Sequence, residues 1–255
     1  MTPSPAVPPR FFAPDLAPSS LEVTLPPTES AHLSRVLRMR EDDLVEVFDG
    51  RGVLRSGRVR RSTPQGSVIL LGDALAASPE APASIVVAQA LLKGDAMDAV
   101  IRDATVCGAT EVWPMTTART NVPARAADAA QQRWRRVAVA AAKQCGRAVL
   151  PRIAPVRPAS DVIALAARAD WVGLWLAEPA LATDDGADPP RPPRAVCVAV
   201  GPEGGWTAEE VATAHAAGWH RWTLAPVTLR AEQMTLAALS VLRYAWDDAV
   251  RRRIT

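Results

Sequence analysis

Residues 85–115 read IVVAQALLKGDAMDAVIRDATVCGATEVWPM, and this stretch decides the fold class of the chain. It begins with a nearly continuous apolar run, which predicts a buried strand. Apolar residues then recur on one helical face between Asp95 and Gly108, where glycine ends the predicted helix. A second strand is predicted at 111–115. Strand, helix and strand in this order predict an α/β fold with a mainly parallel sheet covered by helices on both faces.

The same alternation continues toward the C-terminus. In such sheets ligands bind at the carboxyl ends of the strands, so residues that directly follow a strand are candidate site residues. The further predicted elements are a helix between Pro123 and Gly146, a helix starting at Pro158 or Ser160, strands at 171–177 and 195–200, a helix opened by the capping box Thr207 to Glu210, a strand at 221–224 and a last helix from Leu236 to Val250.

Residues 1–76 have a different pattern, with several short strands and one helix. Asp49-Gly50 between two alternating runs predicts a hairpin, and Ser30 is the predicted N-cap of the helix. Such a set predicts a small β-barrel. Residues 77–84, ASPEAPAS, are rich in proline and small residues and predict a linker, so the second domain covers 85–255. The predicted strands of the first domain lie at 21–25, 44–48, 53–60 and 67–71.

Composition excludes several classes of protein. The chain has 255 residues, of which 49% are hydrophobic and 22% charged, and this excludes an intrinsically disordered protein. No apolar run is long enough to span a bilayer and the N-terminus lacks a signal-peptide pattern, so we expect a cytoplasmic protein without membrane contact. The three cysteines and three histidines show no ligand spacing, so no metal site is expected.

Arginine dominates the basic residues. The net charge is only +2, and two of the 29 basic residues, Lys93 and Lys143, are lysine. The first domain carries Arg35, Arg38, Arg58 and Arg60, and the last two share one face of a predicted strand. Two interpretations stay open, a solvated strand face and a surface that contacts phosphates.

The most informative segment for function is Val200 to Trp206, VGPEGGW, which lies between a predicted buried strand and a capped helix. Its glycines allow a close approach of the backbone to a ligand. Neither phosphate-binding glycine pattern is present, and Glu203 would repel a phosphate. A neutral or cationic ligand fits better, and a plain tight turn is the alternative.

A second segment, LAPVTLRAEQMT at 224–235, also runs from a strand to a helix. Its apolar loop could wall an aromatic base, with Arg230 and Glu232 as polar members. Glu232 is also explained as a first-turn acid that favours the helix dipole. Further polar candidates in loops near strand ends, each of which alone is also explained as a surface residue, are Lys93, Arg119, Gln144 and Arg147.

Together these segments resemble the bacterial ribosomal RNA small subunit methyltransferase E family, the uridine-N3 methyltransferases of 16S rRNA in the SPOUT superfamily. The resemblance covers nearly the whole chain. It is carried by HLSRVLRMREDD at 32–43, VFDGRG at 47–52, LLKGDAMDAVIRDATVCGATEVWP at 91–114, AAKQCGRAVLP at 141–151, GPEGG at 201–205 and LRAE at 229–232.

The resemblance implies a PUA-like RNA-binding barrel, a SPOUT domain threaded into a deep trefoil knot, a homodimer and S-adenosylmethionine as cofactor. It implies that the partner is 16S rRNA or the small ribosomal subunit. The implied cofactor-binding residues are Leu176, Ala177, Glu178, Val200, Gly201, Pro202, Glu203, Gly204, Gly205, Leu224, Ala225, Pro226, Thr228, Leu229 and Arg230.

Three residues are candidates for catalysis. Arg119 or Arg230 would stabilise the uridine anion at the pyrimidine oxygens, and Glu232 would accept the N3 proton. The candidate RNA-binding residues are Arg35, Arg38, Arg58, Arg60, Lys93, Gln144 and Arg147.

The chain departs from the family pattern at a few positions. Val106 replaces an acidic residue, Ala225-Pro226-Val227 replaces Gly-Pro-Arg, and Gln233-Met234 replaces Thr-Ala. Two alternatives follow. The protein could be a non-catalytic RNA-binding assembly factor with a decayed cofactor pocket, or a SPOUT methyltransferase that acts on another RNA.

Overall fold

A computed structural model describes the chain over residues 8–167, 170–177, 191–224 and 226–247. The chain divides into two compact units. The sequence predicts a linker at 77–84, and it gives no sign that residues 142–150 belong with the N-terminal part. The first unit comprises Met1–Pro79 and Ala142–Leu150, and the second comprises Glu80–Ala141 and Pro151–Thr255.

The first unit is built on a five-stranded sheet in the order β1-β3-β4-β5-β2. Strand β1 runs parallel to β3, and the other pairs are antiparallel. This sheet is the β-rich unit that the sequence predicts for residues 1–76. Its elements are β1 (Arg10–Phe12), β2 (Glu22–Thr24), α1 (Pro27–Ala31) continuing into a π-helical turn (His32–Val36), β3 (Leu44–Phe48), β4 (Leu54–Arg61) and β5 (Val68–Ala74).

Alternation along the strands builds the core of this unit, as the sequence predicts. Val45 and Val47 of β3 are buried beside Val59 and Ile69. The predicted strand at 44–48 is confirmed, whereas β1 was missed because three residues are too few to show a period. The prediction of Ser30 as a helix N-cap is wrong. The helix begins at Pro27, and the buried Ser30 hydroxyl donates to Leu25 O and accepts from Ser67 N, both at 2.9 Å.

Residues 142–150 are held in the first unit by a partly buried ion pair. Lys143 Nζ lies 2.8 Å from Glu29 Oε2 and 5.2 Å from the centroid of the Phe11 ring. Glu29 also accepts a hydrogen bond from Phe12 N at 3.2 Å. A single lysine therefore joins the start of this segment to both β1 and α1.

The second unit contains a seven-stranded sheet in the order β12-β10-β11-β6-β7-β8, with β9 also beside β7. Every pair is parallel, which confirms the predicted fold class. Its elements are β6 (Ser84–Ala90), α2 (Ala96–Val106), β7 (Glu111–Thr116), α3 (Ala124–Cys145, whose last turn belongs to the first unit), β8 (Arg152–Ile153), β9 (Arg157–Pro158), α4 (Ala159–Ala166), β10 (Trp171–Leu176), β11 (Ala195–Val200), α5 (Ala208–Ala216), β12 (His220–Trp222) and α6 (Ala231–Trp246).

Helices cover both faces of this sheet. Cys197 and Ala199 of β11 belong to the core on the side of α4 and α5. The alternate residues of β11 face the other side, where α6 packs against β11 and α2 packs against α6. The two-residue strands β8 and β9 were not predicted. Within the described ranges, no helix is both long and apolar enough to cross a membrane.

Candidate active site

A cleft of about 1550 Å³ opens in the second unit, beside the carboxyl ends of β10, β11 and β12. This is the edge at which parallel sheets bind ligands. All three candidate catalytic residues, Arg119, Arg230 and Glu232, line it. The candidate cofactor residues that line it are Leu176, Ala177, Val200, Gly201, Pro202, Glu203, Gly204, Gly205, Leu224, Thr228, Leu229 and Arg230.

Of the other three candidate cofactor residues, the structure describes only one. Pro226 is exposed and lies outside the lining. Glu178 and Ala225 fall outside the described residues, so their assignment stays a prediction.

The glycine segment after β11 forms a tight turn. Gly205 N donates to Pro202 O at 2.9 Å, and Gly205 has a φ of +69°, which favours glycine. A Cβ on Gly201 would lie 3.1 Å from Nε1 of Trp206, which is closer than such contacts normally are. The glycines therefore serve the shape of the loop and its packing against Trp206.

Trp206 joins the glycine turn to the end of β10. Its Nε1 donates to Leu176 O at 2.9 Å, and Ala177 N in turn donates to Trp222 O at 3.1 Å. Trp175 and Trp219 also line the cleft. Sequence reasoning did not select these tryptophans as site residues, although the position of Trp206 directly after the glycines is a signal that was available.

Glu203 holds the turn to the loop after β6. Its Oε1 accepts a hydrogen bond from Lys93 N at 3.2 Å, while its side chain stays exposed at the cleft. Lys93 contributes its backbone here, and its exposed side chain lies outside the lining of the cleft. An acid at this position disfavours phosphate and suits a cation, as the sequence predicts.

Arg119 is attached to the same turn. Its Nη1 donates to Gly204 O at 2.8 Å. The loop that carries Arg119 is fixed by Glu210 of α5, whose Oε1 accepts from Ala118 N at 2.8 Å. The second oxygen of Glu210 completes the predicted capping box by accepting from Thr207 N at 2.9 Å. One carboxylate thus anchors both the Arg119 loop and the start of α5.

The loop before α6 brings the remaining candidates to the cleft. Arg230 precedes the helix, and its backbone N donates to Gln233 Oε1 at 3.2 Å. Met234 lines the cleft and Glu232 is half-buried there. Of the two residues that depart from the family pattern here, Gln233 therefore takes part in the helix cap and Met234 forms part of the cleft wall.

The residues present fit S-adenosylmethionine, which carries an adenine, a sulfonium cation and no phosphate. Apolar side chains such as Leu176, Val200 and Leu229 line the cleft beside close-packed glycine backbone, and Glu203 supplies negative charge. Among the described residues no group of His, Cys, Asp or Glu could hold a metal ion. Burial raises the pKa of the Cys197 thiol, which makes Cys197 unsuited to act as a nucleophile.

The candidate RNA-binding arginines of the first unit are exposed. Arg58 and Arg60 point outward on either side of buried Val59. Arg60 forms an ion pair with Glu22, and Arg58 Nη1 donates to Asp42 O at 2.9 Å. Arg35 is exposed in the π-helical turn, and Arg38 is exposed two residues after the end of that turn.

Gln144 and Arg147 belong to the first unit, unlike Lys93 and Arg119. The sequence predicts all four in loops near strand ends, whereas Gln144 lies in the last turn of α3 and Arg147 follows that helix. Arg147 is only 5% exposed, which leaves little of its guanidinium for a phosphate. The local sequence does not show whether the end of a helix belongs to a different unit from the rest of that helix.

Comparison with known families adds independent evidence. An RNA methyltransferase domain family matches residues 79–243, and an RNA methyltransferase PUA domain family matches residues 25–70. The ribosomal RNA small subunit methyltransferase E of a Synechocystis species is 30% identical over 220 residues, which cover 86% of this chain and 71% of that protein.

Solved structures agree with these matches. The ribosomal RNA small subunit methyltransferase E of Neisseria gonorrhoeae, bound to S-adenosyl methionine, has a TM-score of 0.84 and 28% identity, covering 94% of this chain and 98% of that one. A Legionella pneumophila protein in complex with the cofactor SAM also has a TM-score of 0.84, with 25% identity and coverage of 95% and 99%.

Proposed function

The chain belongs to the ribosomal RNA small subunit methyltransferase E family, and from this premise we propose that it methylates N3 of a uridine in 16S rRNA. It is an S-adenosylmethionine-dependent rRNA methyltransferase with an RNA-binding PUA-like domain. The observation that carries the proposal is the position of Arg119, a cation hydrogen-bonded to the glycine turn at the mouth of the cofactor cleft.

Residues of the cleft divide into two groups by chemistry. Those that would hold the cofactor are the glycine turn with Glu203, and the apolar loops that contain Leu176 and Leu229. When bound, S-adenosylmethionine supplies a methyl group on a positively charged sulfur. Arg119, Arg230 and Glu232 make up the second group, which would act on the RNA base.

Uridine N3 carries a proton that must leave before the nitrogen can accept a methyl group. A cation beside the pyrimidine oxygens favours the anion, and Arg119 and Arg230 both line the cleft. Glu232 lies in the first turn of α6 at the same cleft and would accept the proton. Holding the base in line with the methyl group would supply much of the remaining rate.

RNA binding is assigned to the exposed arginines of the first unit, with Arg35, Arg38 and Arg58 as the main phosphate contacts. These three are exposed and form no ion pair among the described residues, so their charge is available to RNA. Gln144 and Lys93 are exposed and stay predicted contacts, whereas the buried Arg147 has little surface for an RNA phosphate.

Association into a homodimer, the trefoil knot and a cytoplasmic location stay predictions. Leu236 and Tyr244 of α6 are 44% and 45% exposed, and their spacing places them on one face of the helix. Exposed apolar side chains of this kind support an interface between two copies. Light scattering of the purified protein would measure the mass directly.

The function is tested with purified protein, labelled S-adenosylmethionine and either protein-free 16S rRNA or small ribosomal subunits. Nucleoside analysis by mass spectrometry should find 3-methyluridine in one of the two substrates. A different methylated nucleoside, or methylation of another RNA only, would overturn the assignment of N3 or of 16S rRNA. Failure of a folded protein to bind the cofactor in calorimetry would favour the non-catalytic assembly factor.

A further inference from the structure

A buried polar contact crosses the apolar interior between β6 and α6. Gln89 lies in β6 opposite Val200 of β11 and is 0% exposed. Its Nε2 donates to Ala90 O at 3.1 Å and to Gly201 O at 3.4 Å. Its Oε1 accepts from the hydroxyl of Thr235, which is 1% exposed, at 3.1 Å.

The orientation of the Gln89 amide follows from its neighbours. Backbone carbonyls can only accept hydrogen bonds, so the NH₂ group must face Ala90 O and Gly201 O. The carbonyl oxygen is then left for the Thr235 hydroxyl, which donates. Every partner is thereby satisfied, and removal of one would leave a buried polar group without a hydrogen bond, which is costly.

The contact joins two segments of the cleft. Gly201 opens the glycine turn, and its carbonyl precedes Pro202, which has no backbone N–H. Thr235 lies one turn of α6 after Ala231, in the same helical start that holds Glu232 and follows Arg230. Gln89 therefore connects the segment that would hold the cofactor with the segment that would act on the base.

An apolar core does not require these residue types. The adjacent strand residues, Val87 and Ala88, are buried without any polar group. Glutamine is similar in volume to methionine, and threonine to valine, so the polar residues add only hydrogen-bonding capacity. A buried polar network is tolerated in a core when it fixes one arrangement of the side chains.

We propose that Gln89 and Thr235 form a positioning relay that fixes the start of α6 relative to the glycine turn. The inference rests on the proposed methyltransferase function. Neither residue touches the reacting atoms. Through Thr235, Gln89 fixes the positions of Arg230 and Glu232. Through Gly201, it fixes the shape of the glycine turn.

The test compares Thr235→Val, Thr235→Ser and Gln89→Met with the wild-type protein. Thr235→Val should lower kcat about ten-fold through misplacement of α6, with the Kd for S-adenosylmethionine changed less than about two-fold. Thr235→Ser should restore most of the rate, because it keeps the hydroxyl. Gln89→Met should both lower kcat and raise the Kd, since it loses both contacts.

Thr110→Val is the matched control. The Thr110 hydroxyl donates to Ile85 O at 2.9 Å near the amino ends of β6 and β7, away from the cleft. This variant should lower Tm without a change in kcat. Wild-type kcat in Thr235→Val, with the same loss of Tm as in the control, would overturn the relay.

Hydrogen exchange separates failure of the relay from failure of the proposed function. In the protein without ligand, Gln89→Met should speed amide exchange both in the glycine turn and in the first turn of α6, and Thr110→Val in neither. Absence of methylation by the wild type would overturn the function alone, and unchanged exchange in Gln89→Met would overturn the relay alone.

Discussion

Arg119 Nη1 donates a hydrogen bond to the carbonyl oxygen of Gly204 at 2.8 Å. A Cβ on Gly204 would lie only 3.3 Å from Cβ of Arg119, so the arginine also packs closely on the turn. The cation is thereby fixed at one side of the cleft in which the cofactor would lie. The support of the turn and the proposed stabilisation of charge can be measured separately.

Replacement of Arg119 by alanine should reduce kcat by about 100- to 1000-fold, the effect of losing one donor that stabilises a developing anion. The Kd for S-adenosylmethionine should rise less than about ten-fold, because only one hydrogen bond to the turn is lost. Steady-state kinetics and calorimetry give the two values.

Arg119→Lys is the control for charge. It keeps the cation but loses the planar fork, so it should retain more activity than the alanine variant. An equal loss of kcat and of cofactor affinity in Arg119→Ala would assign the residue to the structure of the turn instead.

Glu210 should affect catalysis without touching the substrate. Glu210→Gln replaces one of two accepting oxygens by a donor, so either Ala118 N or Thr207 N loses its partner. We expect kcat to fall about ten-fold as the Arg119 loop loosens. The capping contribution adds a stability loss of about 1 kcal/mol, measured by urea unfolding.

The neighbouring Glu209→Gln is a matched control. Glu209 is exposed in the same first turn of α5, so its replacement tests the loss of a charge near the helix N-terminus alone. If both variants lower kcat to the same extent, the support of the Arg119 loop by Glu210 is refuted.

Lys143 should matter for stability and not for chemistry. Lys143→Met removes the partner of Glu29, whose side chain is only 12% exposed, and leaves a carboxylate without its ion pair. The free energy of unfolding should drop by about 3 kcal/mol. Urea unfolding of the full chain measures it.

The double variant Glu29→Gln with Lys143→Met should recover part of this loss, because it removes the isolated charge. Arg194→Ala breaks an exposed ion pair with Asp170 and should change stability by less than about 1 kcal/mol. Equal losses for Lys143→Met and Arg194→Ala would contradict the burial argument.

Two arginines of the first unit should differ in their contribution to RNA binding. Arg35→Ala should lower RNA affinity and reduce the slope of log K against log salt by about one, because one phosphate contact is lost. Arg60→Ala should reduce the slope less, since Glu22 already neutralises Arg60. Filter binding at several salt concentrations measures both, and a larger effect of Arg60→Ala would reverse the assignment.

The sequence by itself determined the fold class and the segments of the site. Strands β3 and β11 were predicted at 44–48 and 195–200, where the structure has them. Their prediction was possible because the periodicity of apolar residues and the burial of a strand are apparent from consecutive residues. The glycine turn and the capping box at Thr207 were likewise visible, since each depends on a few neighbouring residues with a fixed backbone requirement.

Only the tertiary structure decided which residues work together. The bonds from Glu210 to Ala118, from Arg119 to Gly204 and from Gln89 to Thr235 join residues 85 to 146 positions apart. The tertiary structure also places Gln144 and Arg147 in the first unit and gives Lys143 a structural role as the ion-pair partner of Glu29. Local sequence fixes dihedral preferences and periodicity, whereas a hydrogen bond between distant segments exists only after the sheet has brought the strand ends together.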